Sequence, residues 1–290
     1  MTARLNTRRL TSLVLLTLAA SACRPDEPGP PAAAAPPVSA KTAPITAPIT
    51  DEQRTVREAL LKELRPIALK NCTLKRFGSV NDGGYVMCEN LIGPIVAAYS
   101  YGIDTEDNWG CEVSTTYHVP VHQYDCFTPH RPACKGGRPV FHNECIADRR
   151  KIEDAYSYDT LAHQIAKNGD AGKRLLVKMD VEGAEWDSLL ATPDGVLERI
   201  DQLPMELHGI DDDRYVEVVR KLKRMFYLVS VHFNNWSCTP DADPFPSRAY
   251  QVLFVNKRLG MPDPSAPPRR SGSPPDAPDS PDKPDCQIQP

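Results

Sequence analysis

The run Leu175-Leu-Val-Lys-Met-Asp-Val-Glu-Gly-Ala-Glu-Trp-Asp-Ser-Leu-Leu190 decides how the rest of this 290-residue chain is read. Its first five residues are mostly apolar and too few for a helix, and acids, a glycine and a helix-forming stretch follow. The pattern predicts a buried strand that turns at Gly183 into a helix. In an open α/β sheet the ligand crevice lies outside the carboxyl ends of the strands, which would set Asp180 and Glu182 at its edge. A strand end with solvated acids fits the same pattern, because fold alone does not give function.

Working outward, Ile95 to Tyr101 closed by Gly102, and Val119 to Tyr124 closed by Asp125, predict the first two sheet strands with a helix between them. Asp125 lies 23 residues beyond Gly102, close to the spacing at which an acid reaches ribose hydroxyls in nucleoside-binding sheets. An ordinary turn and an ordinary aspartate fit too, since Tyr101-Gly-Ile-Asp104 has a single glycine. Pro139 to Glu144 predicts a third strand, Asp159 to Gly169 a short helix, and Gln202 to Leu207 a fifth strand with His208 at its tip. Asp211-Asp-Asp213 opens a helix with Tyr215, Val218, Val219, Leu222 and Phe226 on one face. Phe226 to Val231 and Tyr250 to Val255 read as a final antiparallel pair. Before the sheet, Thr50-Asp-Glu-Gln53 has the form of a capping box, and Asn81-Asp-Gly-Gly84 reads as a tight turn in a small hairpin. Alternating strands and helices mean an α/β sandwich: a mostly parallel, seven-stranded, Rossmann-like sheet with helices on both faces.

The flanks are of another composition. Residues 1–22 have the basic start, apolar run and small-residue site of an export signal, too short to span a bilayer. Cleavage before Cys23 would give a lipoprotein anchored to a membrane by acyl chains; cleavage after Ala22 without lipidation would give a secreted product. Residues 23–50 form a Pro/Ala-rich spacer, 51–258 the folded domain, and 259–290 a Pro/Ser/Asp-rich tail expected to be disordered. A net charge of −4 and the lack of a basic block exclude nucleic acid as the expected partner.

Nine cysteines in an exported chain imply disulfides. With Cys23 set aside, eight remain, and Cys286 lies in the tail, so either one domain cysteine is free or the tail is stapled back. Cys126 and Cys134 bound a Pro/Gly-rich stretch that reads as a disulfide-held loop. Close-spaced pairs of the zinc-knuckle kind are missing.

Lys178-Met-Asp-Val-Glu-Gly-Ala-Glu-Trp186 resembles the K-x-D-V-E-G-x-E signature of FkbM-type O-methyltransferases. The blocks Arg76 to Cys88, Tyr99 to Asp104, Gln123 to Asp125, Pro204 to His208 and Ser230 to Trp236 resemble a related branch, the methyltransferase-like protein 24 group, in order along residues 70–257. The resemblance implies a class I methyltransferase fold that binds S-adenosylmethionine, through Tyr101, Gly102, Asp104 and Asp125, with Asp148 near the adenine. Asp180, Glu182, His208 and His232 are the candidate catalytic residues, with His208 or His232 as base for an acceptor hydroxyl on a sugar or small polyol. Alternatively Asp180, Glu206 and His208 would hold a divalent metal. Because the cofactor is a cytoplasmic compound, a surface-anchored, cofactor-less module that binds a ligand such as a glycan stands as the second reading. A metal-dependent hydrolase is the third, weakened by the absence of an H-x-x-x-H pair.

Overall fold

Leu175–Met179 is buried along its whole length because strands lie on both sides of it and packed layers cover both faces. The computed structural model describes residues 49–128 and 130–286. The expected export signal, the expected lipidation site Cys23 and most of the expected spacer lie outside the described residues.

In chain order the elements are helix α1 (Asp51–Glu63), strands β1 (Leu74–Gly78), β2 (Gly84–Cys88) and β3 (Ala97–Tyr101), helix α2 (Asn108–Tyr117), then strands β4 (Pro120–Tyr124) and β5 (Arg138–His142). Three short strands follow, β6 (Cys145–Ile146), β7 (Lys151–Glu153) and β8 (Tyr156–Asp159), then helix α3 (Leu161–Lys167) and strand β9 (Leu175–Met179). Helices α4 (Ala184–Ala191) and α5 (Asp194–Leu197), strand β10 (Ile200–His208), helix α6 (Asp213–Met225) and strands β11 (Phe226–Phe233) and β12 (Ala249–Asn256) complete the domain.

The main sheet has seven strands in the order β11-β12-β10-β9-β3-β4-β5. All neighbours pair in parallel except β12, which runs antiparallel to both β10 and β11. The expected Rossmann-like, mostly parallel α/β sheet is thus observed. Helices cover both faces, but unequally. Leu60, Leu161, Trp186, Leu189, Val218 and Leu222, from α1, α3, α4 and α6, pack one face. The other is covered by α2, through Trp109 and Val113, and by Phe77, Tyr85 and Met87 of the antiparallel β1–β2 hairpin.

Local chemistry explains several joints. Thr50 and Gln53 form the reciprocal capping box that starts α1. On α6, Val218, Val219 and Leu222 are fully buried, while Lys221 tucks under the sheet-side helices and donates to the carbonyls of Leu189, Leu190 and Thr192 at the end of α4. A lysine there satisfies acceptors that a helix end leaves unpaired. The three-stranded sheet of order β6-β8-β7 inserted between β5 and α3 had no counterpart in the sequence reading.

Two expectations are corrected. The segment from 259 onward is not a disordered tail: through residue 286 it packs on the domain, with Asp279 and Ser280 buried. Side-chain amides supply what a sheet would otherwise give its backbone. Asn235 Nδ2 donates to the carbonyls of Ser280 and Lys283, Ser280 N donates to Asn235 Oδ1, and Asn81 Nδ2 donates to Pro278 O. The Cys238–Cys286 disulfide fixes it in place. The loop after β4 is cross-linked, but not on itself: Cys126 pairs with Cys145 and Cys134 with Cys111, tying the loop to β6 and to α2. With Cys72–Cys88, the described residues hold four disulfides, a state compatible with an exported protein. Among the described residues no helix is long and apolar enough to cross a membrane.

Candidate functional site

Strands β3, β4, β9 and β10 run the same way, so the residues that follow them meet at one edge of the sheet. They line an open cleft of about 690 Å3, within the roughly 300–1,000 Å3 usual for small-molecule sites. The cleft lies where the strand order reverses, between β3 and β9, the place where open α/β sheets bind ligands.

Gly102 makes this convergence sterically feasible. It has φ +68°, and a Cβ there would sit 1.5 Å from the carbonyl oxygen of Asp180. Only a residue without a side chain lets the tips of β3 and β9 approach so closely. Lys178 reinforces the junction by donating to the carbonyls of Tyr101 and Gly102. Asp180 then receives the Tyr85 hydroxyl at 2.7 Å, with Lys178 Nζ 3.7 Å away. Burial, followed by the charges of Asp180 and Glu206, pushes the Tyr85 phenol well above its ordinary range and keeps it a donor.

His208 stands at the tip of β10 with its two ring nitrogens in different surroundings. Nδ1 lies 3.2 Å from Glu185 Oε1, and the same oxygen accepts the His208 backbone N–H at 2.6 Å. Nε2 faces Glu182 at 3.6 Å and Asp180 and Glu206 at 3.9 Å each. Burial alone would lower the imidazole pKa. The hydrogen bond to Glu185 and the charges of Glu185, Glu206 and Asp180 outweigh it and raise the value to about 9. Glu206 is raised by burial and by repulsion from Asp180, with Asn234 Nδ2 donating to it. Asp180, Glu182 and His208 each present a ligand atom, all within 4.8 Å of one another, a set that could hold a metal ion. Glu206, expected in that set, is displaced from it by Glu182. Glu182 reaches the position from a left-handed backbone, φ 54°, which costs a non-glycine residue free energy.

Asp125 also lines the cleft, but its oxygens are occupied. Oδ2 accepts from the backbone N–H groups of Ile103 and Asp104 at 3.1 Å, and Oδ1 from those of Phe127 and Thr128 at 2.9 Å. A carboxylate has about four lone-pair sites, so the loops after β3 and β4 take them all. Asp107, which also lines the cleft, is likewise engaged as the cap of α2.

Of the residues expected in the site, Gly102, Asp104, Asp125, Asp180, Glu182, Glu206 and His208 come together. Three do not. The Tyr101 side chain follows strand alternation into the core, where it stacks on Tyr124 with ring centroids 4.9 Å apart; only its backbone is near the cleft. His232 pairs across β11 and β12 with Gln251 and lies beneath the 259–286 segment, Nε2 3.2 Å from Asp285. Asp148 follows β6, pairs with Arg149, and does not line the cleft, because the small sheet diverts the chain. Glu185, Lys178 and Tyr85 join the site beyond the expected set. The first two stand inside the quoted signature run, but a contact such as Tyr85 to Asp180 spans 95 residues and leaves no local trace.

Eight lining residues are Asp or Glu, against Lys178 and His208 as cations. The field therefore favours neutral or cationic ligands. Comparison with protein-family models, with curated proteins and with solved structures finds no match to this chain.

Proposed function

We propose that this chain is an S-adenosylmethionine-dependent methyltransferase that modifies a hydroxyl group, exported and anchored by a lipid at Cys23. The observation that carries the reading is the strand order. Counted along the main sheet it is 6-7-5-4-1-2-3 with the seventh strand antiparallel, the arrangement that the resemblance to class I methyltransferases implies, with the cleft at its switch point.

The residues present fit the cofactor in part. The backbone of 102–105 and the Asp104 carboxylate would hold it, and an acid-rich cleft suits a sulfonium. The cofactor supplies an activated methyl group; the chain must bind the acceptor, orient it and receive its proton. The neighbouring carboxylates raise the His208 pKa to about 9, which disfavours it as the base at neutral pH. The donor set of Asp180, Glu182 and His208 would fit a divalent cation, since Glu185 fixes the ring through Nδ1 and turns Nε2 toward the two carboxylates, where a cation would take the place of its proton. Such an ion lowers the pKa of an acceptor hydroxyl. Glu182, largely exposed, is placed to pass the proton to water.

One observation favours the second reading, a cofactor-less binding module: Asp125 has no lone pair left for a ribose. Calorimetry of the oxidised protein with S-adenosylmethionine, with and without Mn2+, separates the two. Saturable binding weakened by Asp104→Asn supports the transferase. No binding at millimolar cofactor assigns the cleft to a ligand-binding module.

A further inference from the structure

The cleft has one exposed large apolar side chain in its lining, Trp236, 57 % exposed. The other two tryptophans, Trp109 and Trp186, are buried. A single exposed apolar residue is ordinary on a protein surface; what distinguishes Trp236 is its place in the lining of the cleft and the contacts that hold its loop.

Trp236 is also held. Its backbone N–H donates to Asn234 Oδ1 at 2.8 Å. The neighbouring Asn235 side chain makes three hydrogen bonds to the 259–286 segment, and the Cys238–Cys286 bridge closes the loop two residues on. Lys283 Nζ sits 4.3 Å from the ring centroid. A fixed aromatic plate gives up little conformational entropy when a ligand stacks on it.

Charge narrows the ligand. Eight carboxyl side chains around the cleft repel anions. A cation would be drawn to the acids but repelled by Lys283, which covers one face of the indole, so only an uncharged group gains from stacking on the face that Lys283 leaves open. A neutral polyol satisfies both conditions. Its hydroxyls donate to the carboxylates, and the weakly positive C–H face of a sugar ring matches the negative face of the indole.

We infer that Trp236 is the stacking platform for a neutral sugar ring whose hydroxyls point into the carboxylate-lined cleft. This names the acceptor side of the same site and rests on the transferase reading only for the transfer step; sugar binding does not depend on it.

The test is calorimetry of the full oxidised chain, without S-adenosylmethionine, against neutral hexose and N-acetylhexosamine oligomers, with glucosamine oligomers as cationic and glucuronate oligomers as anionic counterparts. The expected result is saturable binding of a neutral oligomer, at least tenfold tighter than its charged counterparts. Trp236→Ala should weaken it about tenfold or more, and Trp236→Tyr by no more than about threefold. Circular dichroism confirms that both variants fold. The inference is overturned if none of the neutral oligomers binds, if a charged series binds tighter, or if Trp236→Ala binds as the parent does. Sugar binding with no cofactor binding would retain it while removing the transferase; cofactor binding with no sugar binding would do the reverse.

Discussion

Glu185, fully buried at the start of α4, grips His208 twice, at the backbone N–H and at Nδ1, and so determines which ring nitrogen faces the cleft. Glu185→Gln keeps the shape and removes the charge. The His208 pKa should then fall from about 9 toward its ordinary value, read by NMR titration of the imidazole. A value that stays near 9 would show that Glu206 and Asp180 suffice.

The same pair sets a pH dependence. The folded-state pKa of His208 lies above its unfolded value, so the stabilisation is complete below about pH 6.5 and is lost as pH rises through about 9. Glu206 is also raised and works in the same direction, because the folded state holds its proton to higher pH than the unfolded chain. Unfolding free energies from denaturant melts should therefore fall between pH 6 and 9.5, by on the order of 2–3 kcal/mol for His208. A flat profile across that window would contradict the site electrostatics.

Metal binding should need His208 and Asp180. Mn2+ added to the oxidised protein should bind with release of a proton, since the imidazolium must give up its proton to become a ligand. His208→Ala and Asp180→Asn should each lose binding at least tenfold, and Glu206→Gln far less, as Glu206 is outside the donor set. Electron spin resonance of free Mn2+ reads all three.

Gly102→Ala should prevent normal folding or cost roughly 3 kcal/mol or more, because the new methyl meets the Asp180 carbonyl in backbone that also requires a positive φ. Gly195→Ala is the control: nothing lies within 4 Å of a Cβ there. Thermal unfolding compares the two.

Cys286→Ser should lower stability by about 2–4 kcal/mol, the usual range for a native bridge, with the loop-entropy value for residues 48 apart at its upper end. It should also raise amide exchange at Asn235 and Trp236, which the freed segment no longer pins. Unchanged exchange would mean that the amide contacts alone suffice.

The sheet was legible because its strands are apolar runs bounded by Gly, Asp and His, and because α1 and α6 carry clear helical spacing and caps. The strand tips at Asp180 and His208 followed from that alone. Strands β6, β7 and β8, of two to four residues, are too short to leave a periodic signal. The packing of 259–286 was hidden because it depends on Asn81, Asn235 and Gln251 side-chain amides and one disulfide rather than on hydrophobic burial. Spacing pointed to Asp125 as a ribose ligand; the structure puts it in the lining of the cleft, and only the four N–H groups around it reveal what its oxygens do there.

The staple between Cys238 and Cys286 also orders events in time. Until residue 286 has been synthesised and oxidised, the loop that presents Trp236 lacks its clamp. In a newly made, reduced chain that wall of the cleft is therefore less firmly held, and its final ordering depends on oxidation of the last cysteine of the chain.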